Sequence, residues 1–280
     1  MTDATGAPID WAKASGDVWA RRWPDTDRGL EPLQPHLVSA VAERAPAGPF
    51  KAFDIGCGPG STTIAVASAC PEASIVACDI SEALAEVARQ RTADLERVRV
   101  VVGDAAGTAA AEAPVDVFFS RHGVMFFADP VHAFRSFRSA ARAGASMIFS
   151  CFQDWALNPW ASEPASAVAG RTVPPPGRES GGFAFADTDY VFDVMTASGW
   201  GGAEPQAVSF DYRMGKGENA VEDSVSFMTD IGPASRILQS LPEADRAPAV
   251  QRMREVIEQR FDGSTIVFPA AAWIWTATAS

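Results

Sequence analysis

Apolar positions in this chain fall into two rhythms that alternate through its first half. Short apolar runs, Ala52–Ile55, Ser74–Cys78, Val98–Val102, Val115–Phe119 and Ala145–Cys151, each lead into or out of polar or glycine positions. Runs of that length, rich in Val, Ile and Phe, predict buried strands. Between them apolar residues recur every three or four positions: from Ser61 to about Cys70, at Leu84, Val87 and Ala88, and at Val131, Phe134 and Phe137. That spacing predicts helices, with Ser81 and Asp129 as N-caps, Pro130 in a first turn and Gly144 closing the third. Upstream, Leu33, Leu37 and Val41 mark one face of another helix, stopped by Pro46-Ala47-Gly48-Pro49. Strand and helix in this order predict an α/β fold: a parallel sheet with right-handed crossovers and ligands at the strands' C-terminal ends.

The rhythm breaks after Cys151. Residues 152–186 carry Phe152, Trp155 and Trp160, then Pro174-Pro175-Pro176-Gly177 and Gly181-Gly182, and predict a long loop that serves as a lid. Asp187 then caps a helix bearing Val191, Val194, Met195 and Ser198 and ended by Gly199. Residues 203–212 predict a sixth strand, residues 217–262 a mostly helical cap with Val250, Met253 and Ile257 on one face, and Ala272–Ala279 a seventh strand. The first 30 residues hold Trp11, Trp19 and Trp23 among charges, which fits either a helix packed on the core or a flap over a ligand. The expected organisation is an N-terminal flap over 1–30 and one domain over 31–280, interrupted by a lid at 152–186 and a cap at 217–262.

Composition narrows the partners. A formal charge of −12 over 280 residues argues against nucleic acid, whose phosphates need a basic face. No apolar run reaches the length of a membrane span, and MTDATGAPIDW shows neither a basic nor an apolar leader. Cys57, Cys70, Cys78 and Cys151 form no CxxC pair and no zinc spacing; they read as reduced thiols, which predicts a cytoplasmic protein.

The chemistry gathers at FKAFDIGCGPGS, residues 50–61. A strand ending with a carboxylate, a turn with Gly56, Gly58 and Gly60, and a helix opening at Ser61 together predict a nucleotide site, with the helix N–H groups and positive dipole end facing the turn. The spacing is GxGxG rather than the GxGxxG of dinucleotide sites, and Asp54 would repel a pyrophosphate while suiting a cationic ligand. No Lys-Ser or Lys-Thr follows the glycines, which excludes a P-loop. Asp79 and Asp104 stand after the second and third strands, and Asp79 lies where a carboxylate can bind both ribose hydroxyls.

In these residues the chain resembles the class I S-adenosylmethionine (SAM)-dependent methyltransferases, whose first motif is an acidic residue followed by GxGxG. FDIGCGPG, ACDIS, VVGDA, RHGVMFFADP, AARAGASMIFSCFQD, NPW, FAFADTDYVFDVMTASGW and PAAAWIWTA follow one another as in a bacterial subgroup acting on small molecules. The resemblance implies a Rossmann-like seven-stranded sheet with the last strand antiparallel, helices on both faces and SAM as cofactor. It places Asp54, Gly56, Cys57, Gly58 and Gly60 around the methionine part. Asp79 and Ile80 would sit at the ribose and one adenine face, and Gly103, Asp104 and Ala105 at the adenine. Ser120 would lie near the sulfonium, with Trp19 contributed by the flap. The implied reaction is methyl transfer by in-line displacement, with no metal, since the Asp-Asp-Asn set of the metal-dependent members is not evident.

Around that cofactor, His122 is the candidate general base at the tip of strand four, or else a structural His in a turn. Arg121 would pair with an acidic substrate, or with Asp116 or another carboxylate. Phe126, Phe152, Trp155 and Trp160, with Phe127, would wall an aromatic substrate, or belong to the core. Two rival readings remain open: a SAM-binding module without catalysis, and a nicotinamide-dependent oxidoreductase on a related sheet.

Overall fold

The computed structural model describes residues 12–280; Trp11 lies outside the described residues. Seven strands form one sheet: β1 (Phe50–Ile55), β2 (Ala73–Asp79), β3 (Val98–Val102), β4 (Val115–Arg121), β5 (Ala141–Phe152), β6 (Gly201–Lys216) and β7 (Thr265–Thr278). Their order is β3-β2-β1-β4-β5-β7-β6. β1 through β5 pair in parallel, and β7 lies antiparallel between β5 and β6. The expected fold class therefore holds. Except for β3, the first five strands are longer than their apolar runs: β5 starts at Ala141, so Gly144 lies within the strand at φ 79° rather than closing a helix.

Helices follow the strands: α3 (Ser61–Ala69), α4 (Glu82–Arg91), α5 (Ala105–Glu112) and α6 (Pro130–Ala140), preceded by α1 (Ala14–Leu30) and α2 (Gln34–Arg44). Ser81 and Asp129 cap as expected, accepting from Leu84 N and His132 N. α5 was not legible, because AAGTAAAE has no amphipathic period; Asp104 starts it by accepting from Gly107 N at 2.8 Å. Large apolar residues of the sheet, such as Phe53, Phe118, Phe119, Phe149 and Trp275, are fully buried.

The stretch expected as a long loop contains a helix, α7 (Pro159–Ala169). Its small residues and Pro164 hide the period, yet Trp160, Ala161, Pro164, Ala165 and Val168 form one buried face. Buried Asn158 fixes its start: Oδ1 accepts from Trp160 Nε1 and Ala271 N, each at 3.1 Å, while Nδ2 donates to Ala271 O at 3.1 Å. The NPW motif thus ties this helix to β7. After α8 (Thr188–Ala197) and β6, three helices intervene before β7: α9 (Ala220–Asp230), α10 (Pro233–Ser240) and α11 (Glu243–Glu258). α7 packs on α10 and α11.

Candidate functional site

β1 delivers Asp54 to the sheet's C-terminal edge, and the chain then reverses through Gly56, Gly58 and Gly60, all at positive φ. At Gly56 a Cβ would meet Gly123 Cα at 3.3 Å, so both the turn and its closeness to the end of β4 require glycine. Gly60 serves differently: it precedes α3 at φ 80°, and a Cβ there would meet Ala88 of α4 at 3.2 Å.

Above this edge lies a cavity of about 650 Å³, within the range of small-molecule sites. Most residues expected around the cofactor line it: Trp19, Asp54, Gly56, Cys57, Gly58, Asp79, Ile80, Gly103, Asp104 and Ala105. Gly60 and Ser120 do not. Gly60 faces α4, and Ser120, fully buried, braces the edge from behind by donating to Ile55 O at 2.6 Å and accepting from Gly123 N.

Asp54 is 1% exposed. Thr63 Oγ1 donates to its Oδ2 at 2.5 Å, whereas Oδ1 has no partner. Burial pushes its pKa up to about 7 against the opposing Thr63 bond and Arg121 charge, with nearby Asp79 adding to the rise. Asp79 accepts from Gly58 N at 2.8 Å and Ser81 N at 2.9 Å. Each oxygen keeps a lone pair, and burial raises this carboxyl too. Ile80 remains 48% exposed beside it, although it is a large apolar residue.

The other side of the cavity is aromatic. Phe126, Phe152 and Trp160 line it as expected. Trp155 does not: its Nε1 donates to Val173 O at 3.2 Å and its ring packs edge-on against Phe183, holding the following loop. Phe183 and Tyr212 were not foreseen, yet Trp160 stacks on Tyr212 at 4.4 Å and 9°, and Phe183 on Phe152 at 5.4 Å. Tyr212 comes from β6 and Phe183 from a Gly-rich loop, so no local motif marks them. α9, α10 and the turn between them add Phe227, Asp230, Ile231 and Arg236 to the wall.

His122 lines the cavity at the tip of β4. It is the one non-glycine at positive φ, 61°, among the described residues. Its Nδ1 lies 2.8 Å from Ser150 Oγ, its ring sits 4.2 Å from Phe152, and Nε2 is buried without a partner. Burial first, then the charge of Arg121, lowers its pKa to about 3. Arg121 lines the cavity, but its guanidinium binds Asp27 of α1 at 2.5 Å and Gln34 at 3.0 Å. Asp116 pairs with Arg142 instead. Asp27 also receives Arg91 and the Ser61 hydroxyl, pinning α1 to the glycine turn.

A methyltransferase-domain family model matches residues 52–144, from β1 to the start of β5. Malonyl-[acyl-carrier protein] O-methyltransferase of Xylella fastidiosa (strain M23) is 32% identical over 100 residues, covering 36% of this chain and 34% of that protein. The match thus spans about a third of that curated relative's length. The YcgJ protein of Bacillus subtilis shares the fold, with a TM-score of 0.52 at 15% identity over 87% of this chain and 97% of that one. So does phosphoethanolamine N-methyltransferase 2 of Haemonchus contortus, solved with S-adenosylhomocysteine, with a TM-score of 0.52 at 13% identity over 97% and 61%. Residues 52–144 thus match a methyltransferase domain, and the chain shares the fold of these solved proteins.

Proposed function

We propose that this protein transfers a methyl group from SAM to a small-molecule acceptor enclosed beneath α9 and α10. One observation carries the reading: Asp54 Oδ1, Thr62 Oγ1 and His122 Nε2 are buried, lack partners, and all belong to the wall of the same cavity. Buried polar atoms are ordinarily satisfied, so three orphans around one space mark a place where a ligand supplies the missing bonds.

The residues present fit SAM. Asp54 Oδ1 is an acceptor suited to the ligand's ammonium, the spare lone pairs of Asp79 to its ribose hydroxyls, and exposed Ile80 with Ala105 to the faces of its adenine. Asp104 keeps one oxygen free of its capping bond for the adenine amine. When bound, SAM supplies an activated methyl on a sulfonium. The chain's part is to hold the acceptor in line with that methyl and to exclude water. α1 serves as the flap on one side of the cofactor, the segment 152–186 and the cap 217–262 close the acceptor side, and Trp160, Tyr212, Phe152 and Phe183 favour a flat aromatic acceptor. Arg121, bound by Asp27, is a structural cation in this reading.

Methyl-labelled SAM incubated with the protein and a panel of flat phenols, amines and thiols tests it. Label passing to a small molecule supports the proposal. Label that stays in SAM while S-adenosylhomocysteine binds makes the chain a SAM-binding module without catalysis.

A further inference from the structure

His122 lines the cavity, and its side chain pairs with Ser150, which does not reach the cavity wall. Ser150 is fully buried on β5, and its hydroxyl has one partner, His122 Nδ1 at 2.8 Å. The backbone repeats the link, with His122 N donating to Ser150 O at 3.1 Å. Phe152 covers the ring at 4.2 Å. His122 therefore holds a left-handed backbone, uncommon for any side chain but glycine, asparagine, aspartate or histidine. Two elements keep it there.

Two tautomers of a neutral imidazole could sit in this contact. With the proton on Nδ1, that N–H donates to Ser150 Oγ. The serine proton is then left without an acceptor in a fully buried place, and Nε2 is a bare lone pair. With the proton on Nε2, the serine hydroxyl donates to Nδ1 and both of those atoms are satisfied; the one group left open is Nε2–H at the cavity. The second arrangement has one orphan rather than two, and that orphan belongs to a residue of the cavity wall. A stranded buried donor costs about 1–3 kcal/mol, enough to fix the tautomer.

We propose that Ser150 is a positioning residue that holds His122 in the Nε2–H form, so that His122 donates a hydrogen bond to an oxygen of the methyl acceptor instead of taking its proton. The inference rests on the methyl-transfer reading for the identity of the ligand, but not for the tautomer itself. A flat molecule with a phenol or enol oxygen, bound as its anion between the aromatic rings, meets this donor. Such an acceptor leaves its proton in solvent and is a nucleophile on arrival. The base expected at this position from sequence is then not needed.

Imidazole ¹⁵N–¹H spectra of the whole chain, labelled in its three histidines, test the inference without turnover. His36 and His132 are exposed on helices; His122→Gln identifies the remaining signal. The expected spectrum has a protonated Nε2 and an unprotonated Nδ1, unchanged from pH 6 to 9 by the reading above. Ser150→Ala, which removes the donor, should turn that single form into a mixture. Adding 4-nitrophenol at pH 8 to protein saturated with S-adenosylhomocysteine should move the Nε2–H resonance. A protonated Nδ1, a wild-type ring that titrates in this range, or a resonance that does not move at millimolar probe overturns the proposal. If Ser150→Ala fails to fold, the wild-type spectrum still decides. S-adenosylhomocysteine that does not bind, together with an Nε2–H signal, sinks the methyl-transfer reading and leaves the tautomer standing.

Discussion

Asp54 carries two opposed demands. The fold buries it, which favours the neutral acid, and a cationic ligand beside Oδ1 favours the carboxylate. Because its pKa is raised to about 7, the folded chain holds a proton between roughly pH 4 and 7 that the unfolded chain has lost. This group's contribution to stability therefore falls as pH rises through that window. His122 acts the other way. Its pKa is lowered to about 3, so the unfolded chain takes up a proton below about pH 6.5 and stability is lost as pH falls from there. Ligand binding isolates the Asp54 term. Affinity for S-adenosylhomocysteine should weaken up to about tenfold per pH unit below 7 and level off above it. In Asp54→Asn the affinity should be lower and flat with pH. Calorimetry from pH 5.5 to 8.5 reads both, and a flat wild-type profile contradicts the assignment. Asp54, Asp79 and Asp104 were legible in sequence because each stands at or just past the end of a short apolar run. Ser150 was hidden inside an apolar run, and nothing local tells a strand serine that supports a histidine from one that does not.

At the scale of elements, Asp27 is the hub that ties α1 to the glycine turn. Asp27 accepts from Arg91 and Arg121 and from Ser61 Oγ, and Arg91 also lies over the Trp23 ring at 4.1 Å. Arg121 is only 10% exposed, so removing its partner strands a nearly buried cation. Asp27→Ala should lower stability by about 1.5–3 kcal/mol, the value of hydrogen bonds to charged groups. It should also weaken S-adenosylhomocysteine, because Trp19 and Ser15 of the same helix line the cavity. Chemical denaturation and calorimetry on one sample check both; wild-type affinity in the variant removes α1 from the site. The tryptophans signalled that this segment is anchored, but its partners lie on α4 and β4, far away in sequence. The same distance hid the role of α7, whose apolar face is built from Trp, Ala, Pro and Val and shows a period only once α10 and α11 are seen against it.

Across the whole molecule, the five parallel strands end on one edge, and several elements after β5 return to line the cavity over it. α7, β6, α9, α10 and the turn between those two helices contribute Trp160, Tyr212, Phe227, Ile231 and Arg236 to the same cavity as the glycine turn. The parallel part of the sheet follows from the alternating periods and right-handed crossovers. The roof does not, since its side chains meet only in three dimensions. No helix among the described residues is long and apolar enough to cross a membrane. In the proposed function, the Asp54 carboxylate at the turn meets a cationic nucleoside and the aromatic half of the cavity meets a flat acceptor. Titration of the wild-type chain with S-adenosylhomocysteine, with NAD as the comparison, tests that description most directly. One bound S-adenosylhomocysteine per chain is expected, with a rise in stability of about 2.7 kcal/mol at one hundred times its dissociation constant, and no heat from NAD. Binding of NAD without S-adenosylhomocysteine would contradict it.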